Sequence, residues 1–180
     1  MIGRLRKLIS IGAMAALTVG MMPSLADGAE EGTIKAFAAW QGDGQAIQTG
    51  PNEATFIGII SGSVYVDTDK GPVDGGQVTC PAMLLVNLED GTQSGTGRCS
   101  VTTKDGARIF AQLACTGVHL VGCDGEFTLT GGTGRFAGIT GGGPVTVRSR
   151  LHEMASLPGN TVVEAVSGIM FWRALSYKVP

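Results

Sequence analysis

The chain has 180 residues, of which 43% are hydrophobic and 16% charged, with 13 Lys and Arg set against 15 Asp and Glu. Only three of those basic side chains, Arg4, Arg6 and Lys7, precede the first acidic residue, Asp27, so the rest of the chain is acidic overall. That balance argues against a nucleic-acid partner, because the phosphate backbone demands a concentrated basic surface.

Taken in chain order, Arg4, Arg6 and Lys7 introduce an apolar run from Leu8 to Met22, followed by Pro23 and the small-residue pattern Ser24-Leu25-Ala26. This is the layout of a secretory signal peptide (residues 1–26) cleaved after Ala26. The run falls short of the roughly 20 apolar residues a spanning helix needs, so no membrane span is expected after cleavage. No cysteine near the cleavage point suggests a lipid anchor, and the expected location is periplasmic or secreted. Residues 27–180 then form one domain, since a chain of this length supports one core.

Within that domain, Gly, Asp, Asn and Pro cluster at 42–44, 50–52, 70–76, 90–91, 105–106, 131–134, 141–144 and 158–160. Short stretches rich in Val, Ile, Thr and Phe separate them, which predicts antiparallel strands joined by tight turns. Eight are expected: Thr33–Trp40, Ala54–Val66, Gln77–Glu89, Ser94–Thr103, Ala107–Thr116, Cys123–Thr130, Val145–Ala155 and Thr161–Tyr177. Alternation gives each an apolar face, such as Val78, Cys80, Ala82, Leu84 and Val86. Eight one-faced strands bury their apolar sides most simply by closing on themselves, so the expected fold is an all-β closed antiparallel barrel. Two stretches depart from alternation. Phe56, Ile57, Ile59 and Ile60, and the last strand with Ile169 and Phe171 opposite Met170 and Trp172, predict burial on both faces and hence an exterior covered by another subunit, as in a homo-oligomer, or by the N-terminal segment.

All four cysteines fall on the apolar face of their strands, and an even number in an exported chain reads as a disulfide framework. Folding through Asp90-Gly91 brings Cys80 within about two residues of Cys99 in register, and the connection 116–122 sets Cys115 opposite Cys123. The expected bridges are Cys80–Cys99 and Cys115–Cys123. Zinc is disfavoured, since no CxxC pair exists and the histidines are only His119 and His152. No metal or other cofactor is expected.

The segment Leu129-Thr-Gly-Gly-Thr-Gly-Arg-Phe-Ala-Gly-Ile-Thr-Gly141 resembles the glycine-rich signature of the allene oxide cyclase and dirigent-like barrels, including their exported bacterial relatives of unassigned activity. The match rests on Gly131, Gly132, Thr133, Gly134, Phe136 and Gly138, and Gly97-Arg-Cys99 and Cys123-Asp-Gly125 extend it over residues 56–143. The resemblance implies a barrel whose lumen takes an apolar ligand and which often forms trimers. Glycine at these positions permits turns with positive φ, and Phe136 is placed to cap one end of the barrel. Gly132-Thr-Gly134-Arg-Phe-Ala137 also satisfies a dinucleotide-binding spacing, but a strand rather than a helix follows, which removes the phosphate-binding terminus that motif requires.

For chemistry, Arg148, Arg150 and His152 share one strand face. They form either a solvated outer face, the usual outcome of alternation, or a polar lumen wall that binds a carboxylate. The expected ligand-binding residues are Arg148, Arg150, His152 and Phe136, with no catalytic residue assigned. His119 falls in a loop, where it is either a base at the barrel rim or an ordinary surface side chain. Asp124 and Glu126 lie two apart on a polar face, and such a pair is usually wet. The functional expectation is a barrel that binds, or templates cyclisation of, a small apolar or amphipathic molecule. The alternative is a structural or interaction protein with a filled barrel.

Overall fold

The computed structural model of the chain describes residues 29–159 and 161–180. The signal-like segment 1–26 lies outside them. Eight strands run in order: β1 (Glu30–Gly50), β2 (Glu53–Thr68), β3 (Gly71–Asn87), β4 (Thr92–Thr102), β5 (Arg108–Val118), β6 (Gly122–Gly132), β7 (Thr140–Leu157) and β8 (Thr161–Val179). Each pairs antiparallel with its chain neighbour, and β1 also pairs with β8, from Glu30 opposite Val179 to Ile47 opposite Thr161. The ring closes into a barrel. A three-residue 3₁₀ turn, Gly134–Phe136, sits between β6 and β7 at the end where β1 begins, which is the lower end of the barrel when β1 runs upward.

The inward side chains are those expected from alternation. Ala36, Ala38 and Trp40 of β1, Val78 and Cys80 of β3, Cys99 of β4, Leu113 of β5, Phe127 of β6, Val145 of β7, and Met170 and Trp172 of β8 are all buried. Full burial of side chains such as Phe127 and Met170 contributes about 1.5–3 kcal/mol each.

Three clusters read as turns lie in strands instead. Residues 42–44 continue β1, residues 71–76 open β3 and residues 141–144 open β7. In β1 the reason is room for aromatics. Trp40 stands opposite Gly62 and Gly168, and a Cβ on Gly168 would come within 2.6 Å of Trp40 Cζ2. Gly44 faces Gly58 across the β1–β2 ladder, and a Cβ on Gly58 would sit 2.7 Å from Phe56 Cε1. The rings lie against bare backbone, a packing that a turn reading of Gly42–Gly44 misses.

The expectation of two-sided burial is not met. Ile57 and Ile59 are 59% and 55% exposed on the outer face, and Ile169 and Phe171 are exposed as well. In β8 a register shift between Trp172 and Leu175 switches the inward set from Val166, Met170 and Trp172 to Leu175, Tyr177 and Val179. That bulge accounts for Leu175, while Ile169 and Phe171, which precede it, are apolar side chains on the outer face.

Both expected disulfides are present. Cys80–Cys99 links β3 to β4 with Cα atoms 4.1 Å apart, and Cys115–Cys123 links β5 to β6 at 5.6 Å. In the second pair the register sets Cys115 against Gly125 and Cys123 against Gly117, so that bridge runs diagonally rather than straight across.

Candidate functional site: two cavities in one lumen

The lumen is divided. Ala38, Val78, Cys80, Cys99, Ala111, Val145 and Met170 form a packed middle layer, and the cavities on either side of it share no lining residue.

The lower cavity has a volume of about 390 Å³, within the roughly 300–1,000 Å³ typical of small-molecule sites. Its wall is apolar and aromatic, with Ile34, Val64, Phe127, Phe136, Trp172 and Tyr177 among the contributors. Phe127 and Trp172 meet edge to face with centroids 5.1 Å apart, which fixes both rings. The Trp172 indole Nε1–H is buried without a hydrogen-bond partner among the described residues. A buried donor of this kind costs about 1–3 kcal/mol unless something accepts from it. At the rim, Tyr177 donates its hydroxyl to Glu30 (3.0 Å), and that bond to a carboxylate holds the phenol pKa above its ordinary value.

Phe136 reaches this cavity because of the glycines around it. Gly131, Gly134 and Gly138 take φ values of 143°, 60° and 76°, a region other residues rarely adopt. The resulting turn folds Phe136 over the lower end, under the Arg135 guanidinium at 4.7 Å from the ring centroid. Arg135 is itself paired with Asp105 at 2.7 Å.

The upper cavity is smaller, about 70 Å³, and its wall mixes Trp40, Phe56, Ile60 and Leu84 with Gln93, His119 and Glu164. His119 is hydrogen-bonded through Nε2 to Glu164 Oε1 and through Nδ1 to Gln93 Oε1, both at 3.1 Å. Glu164 and Gln93 are 3% and 9% exposed. His119 occupies the short turn between β5 and β6. Its backbone N–H donates to Gly91 O, Leu120 beside it takes φ 63°, and the Cys115–Cys123 bridge closes the hairpin beneath. A disulfide-closed turn with one left-handed residue holds the imidazole in place over the lumen.

Arg148, Arg150 and His152 are exposed on β7, apart from both cavities. The inward positions there are Val145, Val147 and Ser149. Arg148 contacts Asp124 Oδ2 (3.2 Å), and Thr146 donates to Asp124 Oδ1 (2.6 Å). The Thr146 bond, then Arg148, holds the Asp124 carboxyl below its ordinary range. His152 bonds Ser167 Oγ on the exposed part of the β7–β8 hairpin. These three side chains therefore share no site with Phe136.

The sequence left His119 between a rim base and an ordinary surface side chain and did not single out Gln93 or Glu164. A signal for Glu164 was present, since it falls between Val162 and Val166 on the inward face of β8, a carboxylate among aliphatics. Gln93 likewise heads the inward series Gln93, Gly95, Gly97 and Cys99. Nothing local links either to His119, which is 45 residues from Glu164 in sequence.

No protein-family model and no curated protein matches this chain. Among solved structures, the pterocarpan synthase dirigent protein GePTS1 is similar over 87% of this chain and 98% of that one, at 11% identity and a TM-score of 0.30. So loose a superposition adds nothing to the strand register.

Proposed function

We propose that the mature chain is an exported binding barrel that holds a small, largely apolar molecule in its lower cavity, as a carrier or as a template for its cyclisation. The observation that carries this reading is the cavity of about 390 Å³ walled by Phe127, Phe136, Trp172 and Tyr177. The unpartnered Trp172 indole favours a ligand with a carbonyl or hydroxyl oxygen, while Glu30 and Tyr177 give the rim a polar edge for an amphipathic end. Export is supported by the signal-like N-terminus and the two disulfides, which persist in oxidising compartments.

The test is a titration of residues 27–180 with straight-chain methyl ketones up to 2-decanone, read by tryptophan fluorescence. Saturable binding that rises with chain length, and at least tenfold weaker binding by Ala36→Phe, which fills the cavity from β1, is expected. Absence of binding across the series, or equal binding by the filled variant, overturns the reading.

The interaction-protein alternative draws on the outward apolar row Ile57, Ile59 and Met83, with Ile57 directly opposite Met83 on the β2–β3 ladder. A monomer in sedimentation velocity at high protein concentration would remove self-assembly from consideration.

A further inference from the structure

The chain contains two tryptophans, and each has a buried indole N–H with no acceptor among the described residues. Trp172 belongs to the lower cavity and Trp40 to the upper one. The upper cavity also carries a second unpartnered donor. Gln93 turns its amide oxygen to His119 Nδ1, and its Nε2 makes no hydrogen bond among the described residues. The Gln93 side chain is held in place because His119 is fixed between it and the buried Glu164.

Two unpartnered donors in one wall select an acceptor. We propose that the upper cavity is a second binding site, for a small neutral oxygen-bearing group such as a ketone, aldehyde or alcohol. Its oxygen accepts from Trp40 Nε1–H and from the Gln93 amide. Ile60, Leu84 and Phe56 contact its carbon atoms. Glu164 and His119 are positioning residues: they do not touch the ligand but hold the Gln93 side chain against the cavity. A volume of about 70 Å³ limits the occupant to a few heavy atoms, given that one liquid water occupies about 30 Å³. A charged carboxylate is disfavoured, since Glu164 is in the same wall and Asp43 at its edge. The packed middle layer makes this site independent of the lower one.

The two indoles supply a separate reporter for each cavity in a ¹H–¹⁵N correlation spectrum of the disulfide-bonded mature protein, with Trp172→Phe assigning the peaks. Acetone is the probe and isobutene, of the same shape without the oxygen, its control. Acetone is expected to shift the Trp40 indole peak saturably, with isobutene at least fivefold weaker. Gln93→Leu should weaken acetone about five- to tenfold, the usual worth of one lost hydrogen bond. His119→Phe should weaken it less, and should broaden the Gln93 side-chain amide peaks as that group loses its fixed orientation. No saturable shift at Trp40, or equal response to isobutene, overturns the inference and needs no variant to fold. A 2-decanone response at Trp172 with none to acetone at Trp40 overturns this inference alone and leaves the lower-cavity reading standing.

Discussion

Replacing His119 by leucine removes the one hydrogen-bond partner that Glu164, 3% exposed, has among the described residues. Leaving a buried carboxylate without its partner costs about 3–5 kcal/mol, because the charge is left in a poor solvent. The His119 side chain is 17% exposed and the cavity has room for water, so the lower end applies, about 3 kcal/mol. The Gln93 oxygen also loses its donor, adding about 1 kcal/mol. For a domain of about 150 residues, each kcal/mol moves the melting temperature by about 2–4 °C, so a fall of roughly 8–16 °C is expected. The informative partner is the double variant His119→Leu, Glu164→Leu, in which no charge is stranded. It should recover most of the loss and stay within about 1–2 kcal/mol of wild type. Urea unfolding of the disulfide-bonded protein, followed by tryptophan fluorescence, measures all three. A single variant costing under about 1 kcal/mol, or a double variant costing as much as the two singles together, would refute the view that His119 and Glu164 act as a buried unit.

Three further outcomes are expected. The disulfides close loops of 19 and 8 residues, so on the chain-entropy account replacing both cysteines by alanine should cost about 3.2 kcal/mol for Cys80–Cys99 and about 2.5 kcal/mol for Cys115–Cys123; urea midpoints of the two double variants should fall in that order. Gly168→Ala drives a methyl into the Trp40 ring and the Arg148 carbonyl and should cost about 1–3 kcal/mol, with displacement of the Trp40 indole resonance as its signature. Asp90, Asp105 and Asp124 all have carboxyls held below their ordinary range, chiefly by hydroxyl donors Thr92, Thr103 and Thr146. Their contribution to stability is present above the unfolded carboxyl value and is lost as pH falls through the folded one. The urea midpoint should therefore drop between pH 5 and pH 2, and Asp124→Asn should reduce that drop.

Strand number, inward faces and disulfide partners were legible because each is a local property. A period of two assigns Val78, Cys80 and Leu113 to the core without knowledge of neighbours, and one tight turn sets Cys80 beside Cys99. The turn that folds Phe136 over the barrel end was legible for the same reason, since its positive φ values call for glycine wherever the chain goes. The glycines of β1 misled because their purpose is not local. Gly44 is small so that Phe56, from the neighbouring strand, can lie across it.

The amino-acid order alone settled the all-β class, the eight strands and the two bridges, because period-two burial and short hairpin turns act over a few residues at a time. It could not settle which polar side chains meet. Gln93, His119 and Glu164 come from β4, the β5–β6 turn and β8, and only closure of the ring, which pairs β1 with β8 and carries Glu164 round to face His119, puts them in one wall. Closure likewise decided that Arg148 faces water and that the lumen holds two cavities instead of one, since both depend on how strand faces converge across the barrel and on no single strand's own pattern.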